Sequence, residues 1–287
     1  MLGYIYAVVM AISWSIAAIL YRFAVKDKDV LVVTLLRVYP AFFVTFLGTL
    51  FLEHIDVEAL MDPYLILMAI LTGALAMLVG SYAYIYAIKN AGVSITYPVA
   101  FSYPLYVSLI AVPLLGELLT IGLVIGLILQ LIGLVILAFD SSSEEISHVR
   151  KGVLAAVIAS LSWTFNSILV KIVLYVAQPV MFAFMRLLAL SIIITPLCFI
   201  KYNKIRAFTV KEILAAIIGG MIGIGFAIIL YHLAIIEIGA ARTALISSSS
   251  PALSILLALV ILHERPSTRA LLGAILVTAA VIFVIVL

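Results

Sequence analysis

Long apolar runs separated by short polar connections occupy almost the whole chain. A helix crosses the ~30 Å hydrocarbon core with about 20 predominantly apolar residues. Ten stretches meet that length: about 3–25, 30–52, 64–88, 93–115, 119–139, 152–174, 179–200, 213–236, 240–262 and 267–287. The runs are continuous rather than alternating, which excludes the two-residue period of a membrane β-barrel. The pattern predicts an all-α membrane protein with ten transmembrane helices. The longest polar stretch, Asp140 to Lys151, contains Ser141-Ser142-Ser143-Glu144-Glu145 and divides the chain almost in half. Its low apolar content predicts a solvated linker. No connection has room for a soluble domain, so the function is expected within the membrane. The first residues, Met1-Leu2-Gly3-Tyr4-Ile5-Tyr6, lack a basic n-region and a small-residue cleavage site. They read as the first retained helix rather than a signal peptide.

Composition excludes the other classes. The 287 residues are 67% hydrophobic and only 10% charged, whereas a soluble domain carries about 25% charged residues. A net charge of +3 without a Lys/Arg cluster offers no phosphate track, which argues against nucleic-acid binding. The single cysteine, Cys198, lies in an apolar run and cannot build a disulfide framework. All 13 Asp and Glu residues fall outside or at the ends of the runs, as expected for carboxylates excluded from lipid.

The two halves repeat each other. A shift of 149 places Gly3, Ser13, Trp14, Arg22 and Arg37 on Gly152, Ser162, Trp163, Lys171 and Arg186. From the third run onward the shift is 147, placing Tyr84, Ala87, Gly92, Pro104, Glu117 and Gly126 on Tyr231, Ala234, Gly239, Pro251, Glu264 and Gly273. Apolar helices align by chance, but Trp, Arg, Pro and Glu in register do not. The organisation is therefore a first repeat over 1–139, a linker over 140–151 and a second repeat over 152–287. With five spans per half, the second repeat enters the bilayer inverted. This plan recurs in secondary transporters and gives inward-open and outward-open states of similar energy.

These motifs carry a family resemblance. Ser13-Trp14 with Arg22, and Ser162-Trp163 with Lys171, resemble the first-helix motif of the drug/metabolite transporter superfamily. The Tyr84–Ala87–Gly92–Pro104–Glu117–Gly126 series and its second copy resemble the third-to-fifth-helix signature of its EamA-type members. The resemblance covers essentially the whole chain. It implies five-plus-five inverted helices, a central cavity and transport of small metabolites, and it leaves the substrate open. Many members have Gly after the first-helix Trp; here Ser15 and Thr164 stand there.

Several residues are candidates for the work. Arg37 and Arg186 lie about seven residues into their runs, where a charge costs ~2.5–3.5 kcal/mol on insertion scales. They either snorkel and hydrogen-bond backbone carbonyls or anchor an anionic substrate group. Trp14 and Trp163 are repeat mates near mid-membrane, too deep for interfacial anchors, and either pack the core or offer a flat face to a substrate. Pro104 and Pro251 fall in the middles of spans four and nine and predict kinks that act as hinges. Ser247, Ser248 and their neighbours precede Pro251 and either satisfy freed carbonyls or face a substrate. The matching stretch before Pro104 offers Phe101 and Tyr103, an asymmetry that suits an amphipathic substrate. His232, beside Tyr231, is the intramembrane histidine, either structural or a proton- or substrate-contacting group. Asn166 either bonds across helices or contacts substrate, and Tyr84, Tyr97 and Tyr103 are candidate wall residues. Spans 1, 3, 4, 6, 8 and 9 are expected to surround the cavity, with 5 and 10 at the periphery. Glu117 and Glu264 begin spans five and ten and read as caps on the positive helix ends. Gly122, Gly126 and Gly133 favour close packing of span five.

No catalytic constellation and no metal spacing is present, so neither enzyme chemistry, nor a metal, nor a cofactor is expected. The expected partners are the lipid bilayer and a small-molecule substrate, with no nucleic acid, and the chain is expected to act as a monomer in a cell membrane. The leading reading is a secondary transporter of small organic metabolites, amino-acid-like compounds first, working in the efflux direction. The alternatives are a channel or a membrane enzyme acting on lipid-linked substrates. Orientation is contested. Twelve Lys and Arg residues flank the odd-numbered connections, and only Lys171 and Arg242 flank the even ones. The positive-inside rule then puts both termini outside, whereas the resemblance implies cytoplasmic termini, the arrangement adopted here. A coupling proton needs a binding group inside the spans. With no carboxylate there, His232 is the remaining one with an ordinary pKa near ~6.5, so facilitated diffusion or exchange is expected rather than obligate proton antiport.

Overall fold

The structure, a computed structural model, describes residues 1–25, 30–138, 149–261, 263 and 266–287. Glu264, most of the predicted linker and the side chains of Arg22 and Cys198 lie outside the described residues. Every regular element among those described is helical, and there is no strand.

In the first half, α1 is Leu2–Val25, α2 Val30–Leu52, α3 the short Val57–Met61 and α4 Pro63–Gly73. A π-helical segment, Ala74–Gly80, leads into α5, Ser81–Ala100, followed by α6, Tyr103–Leu115, and α7, Ile121–Ala138. In the second half, α8 is Val149–Val173, α9 Pro179–Ile205 and α10 Val210–Gly220. A second π segment, Met221–Phe226, leads into α11, Ala227–Ser247, followed by α12, Ser250–Ile261, and α13, Thr268–Val286.

Among the described residues these elements supply ten candidate crossings. Nine apolar stretches are of spanning length, and a shorter one covers Ser250–Val260. The stretch Val210–Ser247 has 38 residues, about 57 Å if straight at ~1.5 Å per residue, nearly twice the hydrocarbon thickness. It contains its own turn: Gly239 has φ 86° and ψ 168°. Span eight ends there, and span nine consists of the end of α11 plus α12. In the first half the predicted connection at 89–92 also differs from a free loop, because helical hydrogen bonding runs through it within α5.

Regular α-helical bonding in spans four and nine gives way for two residues each; in span four these keep near-helical dihedrals (Phe101 φ −84°, ψ 6°; Ser102 φ −75°, ψ −4°), so the helix is kinked there. The breaks fall at Phe101–Ser102 and Ser248–Ser249, which are repeat mates. Pro104 and Pro251 are each the second residue of the helix that follows, α6 and α12. The interruption thus falls just before each proline, which occupies a first-turn position where no N–H donor is needed. The hydroxyls satisfy freed carbonyls on both sides of the repeat. Ser102 Oγ donates to Val99 O at 2.8 Å, and Ser249 Oγ to its mate Ile246 O at 2.6 Å. The π segments are also repeat mates, since 74 and 79 shifted by 147 give 221 and 226.

The helices gather into two compact units, Met1–Gly73 with Ile172–Glu237, and Ala74–Lys171 with Ile238–Leu287. The sequence repeats and the compact units are different divisions of the chain, because helices pack against members of the other repeat. In unit 1, α2 packs on α9, where Phe42, Phe46 and Phe184 have ring centroids 5.5–6.5 Å apart. In unit 2, α7 packs on α13 through glycine. A Cβ on Gly133 would lie 2.9 Å from Gly273 O, and one on Gly273 would lie 2.8 Å from Gly133 O. Gly133→Leu therefore overpacks this contact and is expected to cost about 1–3 kcal/mol, read as a lower thermal midpoint in detergent. An unchanged midpoint would contradict the packing.

Candidate functional site

Unit 1 holds five of the candidates. Arg186, 2% exposed, sits two turns into α9. Its Nη1 is 2.7 Å from His232 Nε2, and its Nη2 donates to Thr72 O at 3.2 Å. A guanidinium has only donors, so Nε2 of His232 accepts. The other ring nitrogen, Nδ1, then donates to Pro179 O at 2.9 Å. Both imidazole nitrogens are thereby committed and the tautomer is fixed. Phe182, one turn before Arg186, stacks on His232 at 5.6 Å. The start of α9 that carries these groups is itself fastened: the Glu53 carboxylate accepts from Val180 N at 3.1 Å and Met181 N at 2.7 Å.

Arg37, the repeat mate of Arg186, is held differently. Its guanidinium carbon lies 4.9 Å from the Tyr21 ring centroid, a cation–π distance. Tyr21 in turn donates to Gly219 O at 2.8 Å. Arg37 backbone also abuts α10, where a Cβ on Gly220 would lie 2.3 Å from Arg37 O. Trp14 meets Tyr231 at 5.9 Å with rings tilted by 43°.

Unit 2 holds the remaining candidates around the break in span four. Trp163 of α8 meets Tyr84 at 5.6 Å and 51°, the repeat mate of the Trp14–Tyr231 pair in nearly the same geometry. Phe101 lies 5.5 Å from Trp163 and 5.6 Å from Tyr84, and Tyr97 and Tyr103 complete a group of five rings. Gly80 makes room for it, since a Cβ there would lie 2.6 Å from Trp163 Nε1. The break in span nine is tied to the same unit. Tyr103 Oη hydrogen-bonds Ser247 Oγ and donates to Ala244 O at 3.1 Å. Gln130 Nε2 donates to Ser248 Oγ at 2.6 Å, while the buried Gln130 Oε1 has no partner among the described residues. Asn166 is buried in α8.

The hydroxyls that replace the family's glycine are absorbed locally. Ser15 Oγ donates to Ala11 O at 2.7 Å, and Thr164 Oγ1 to Ser160 O at 2.8 Å and to Tyr103 O at 3.5 Å. Glu117 is a cap, but not on its own span. Its carboxylate accepts from Ala240 N at 2.5 Å and Ala241 N at 2.9 Å, at the start of span nine. Span five is capped by the Thr120 hydroxyl, which accepts from Leu123 N at 3.2 Å. The glycine before Glu117, Gly116, has φ 67°. Sequence reasoning did not single out Tyr21, Glu53, Thr72 or Phe182 for these roles. The tyrosine and phenylalanine look like ordinary membrane aromatics, and a backbone carbonyl leaves no mark in a sequence. Among the described residues no group of three or more His, Cys, Asp or Glu side chains is placed to hold a metal.

Both halves of this arrangement have relatives. An uncharacterized transporter from Archaeoglobus fulgidus is 26% identical over 290 residues, spanning 99% of this chain and 98% of that protein. A protein of known crystal structure superposes with a TM-score of 0.78 at 20% identity, over 99% of this chain and 98% of that one; at that identity the likeness is one of fold. The family model of EamA-like transporters matches residues 1–139 and again 150–286. This multi-pass membrane protein therefore belongs to the EamA-like transporter family and is a membrane transporter of small molecules.

Proposed function

We propose that the chain is a secondary carrier that exports small organic metabolites by alternating access, with amino-acid-like compounds as its first substrates. The observation that carries this reading is the pair of repeat-matched helix breaks at Phe101–Ser102 and Ser248–Ser249. Discontinuous helices at equivalent points of inverted repeats are where secondary transporters bind their cargo. Here one break carries rings and the other hydroxyls, which suits a substrate with an apolar side and a polar end. Both termini are cytoplasmic in this reading.

The test is a ligand screen on purified protein in proteoliposomes, loaded with pools of amino acids, organic acids, amines and sugars. Exchange is expected with the amino-acid pool and with few members of the others. Exchange confined to sugars or amines would overturn the substrate class. Labelling of single cysteines placed at Met1 and Leu287 in intact cells is expected to fail without permeabilisation, and labelling from outside would reverse the orientation.

A further inference from the structure

We propose that Arg186 is a carboxylate-binding group, and that taking its guanidinium away from the Thr72 carbonyl loosens the π-helical segment Ala74–Gly80. For the identity of the substrate, though not for the chemistry, this rests on the proposed export of amino-acid-like compounds.

In a π-helix the hydrogen bond runs from i to i+5 instead of i+4, so the ladder changes register on entering one. Entering one skips an N–H donor, and the carbonyls of the turn before it keep a second lone pair through which another helix can hold that turn. The two π segments of this chain occupy repeat-equivalent positions, and so do the carbonyls before them: Thr72 plus 147 is Gly219. Both carbonyls have side-chain donors from another helix. Thr72 O accepts from Arg186 Nη2 at 3.2 Å, and Gly219 O accepts from Tyr21 Oη at 2.8 Å. The arginine repeat mates stand at both junctions. In one copy Arg186 is itself the donor; in the other Arg37 lies over the ring of the tyrosine that donates.

The duplication thus leaves one junction closed by a neutral hydroxyl and the other by a cation. A carboxylate is a better acceptor than a peptide carbonyl for either donor, but only at Arg186 does the donor itself carry a full positive charge. Charge-assisted bonds are roughly twice as strong as neutral ones, and the fork of Arg donates to a carboxylate bidentately. His232 acts as a positioning residue. Its Nε2 holds Nη1 at 2.7 Å while its Nδ1 is tied to Pro179 O, so the guanidinium keeps a fixed pivot when Nη2 changes partner. The responsive junction also has a distinctive place in the chain. Span three passes from unit 1 to unit 2 between Gly73 and Ala74, whereas the second π segment lies wholly within unit 1. Substrate occupancy is therefore read out where the polypeptide leaves one unit for the other.

Hydrogen exchange of the full chain in lipid nanodiscs tests this. Without ligand, Arg186→Met is expected to speed exchange across 74–80 by about tenfold, the effect of losing one charge-assisted bond, and to leave 221–226 unchanged. Tyr21→Phe is expected to do the converse. In the wild type, acetate, succinate and a mixture of the twenty amino acids, compared with chloride at equal ionic strength, are expected to speed exchange in 74–80 alone. The corresponding amino-acid amides are expected to do nothing. Arg186→Met exchanging like the wild type, amides acting as well as acids, or no carboxylate acting at all would each overturn the inference. If Arg186→Met fails to fold, the wild-type ligand comparison decides. Acetate or succinate acting without the amino acids would uphold Arg186 as a carboxylate group and overturn the amino-acid reading instead.

Discussion

Gly239→Ala and Glu117→Ala are expected to destabilise the start of span nine more than any other single changes outside the helices. Gly239 has φ 86° and ψ 168°, a backbone region essentially reserved for glycine, and forcing alanine into it costs about 1–3 kcal/mol. The new Cβ would also lie 2.7 Å from the Glu117 carboxyl carbon. That carboxylate is the acceptor for Ala240 N and Ala241 N, two of the orphan donors every helix start exposes. Removing it leaves both donors without that partner at a membrane boundary and costs about 2–3 kcal/mol. Since both substitutions break one junction, the double variant is expected to lose less than the sum. Thermal unfolding in detergent reads all three. A Gly239→Ala variant as stable as the wild type would mean that spans eight and nine are not joined by this turn.

The second large effect concerns coupling. A pH gradient is expected to leave the substrate ratio across a proteoliposome membrane near one, in the wild type and in His232→Ala alike. A one-to-one proton antiporter would instead sustain about a tenfold ratio per pH unit. No carboxylate lies inside a predicted span, and Arg186 keeps its proton throughout. His232 has Nε2 on Arg186 and Nδ1 on Pro179 O, so a proton can be added only by breaking the bond to the guanidinium. His232→Ala is expected to slow exchange, because the pivot of Arg186 is lost, without changing its dependence on pH gradient. Concentrative transport driven by the gradient in His232→Ala would remove this account of coupling.

Some of this was legible in the residues alone. The spans follow from apolar length, and the duplication follows from Trp, Arg, Pro and Glu in register. The Trp14–Tyr231 and Trp163–Tyr84 pairs make that register physical, because each copy builds the same contact within its own unit. Pro104 and Pro251 were visible but ambiguous. A proline in an apolar run marks a kink without fixing which residues carry it, and the preceding hydroxyls read equally well as partners of freed carbonyls or as substrate contacts. Glu117 shows the limit of reading charges against the nearest helix: its carboxylate serves a helix start more than 120 residues away. Arg186 and His232 are 46 residues apart, on spans whose packing no periodicity specifies. The compact units could not be read at all, because helix partners come from the opposite repeat.

Trans-stimulation in proteoliposomes tests the carrier claim most directly. Vesicles are preloaded with unlabelled amino acids, and initial uptake of the same labelled compounds is measured against external concentration. An alternating-access exchanger returns its binding site faster when loaded than when empty. Uptake is therefore expected to saturate and to be faster into preloaded vesicles than into empty ones. Uptake that rises linearly with concentration and ignores the internal load would contradict the account, because it would describe a pore.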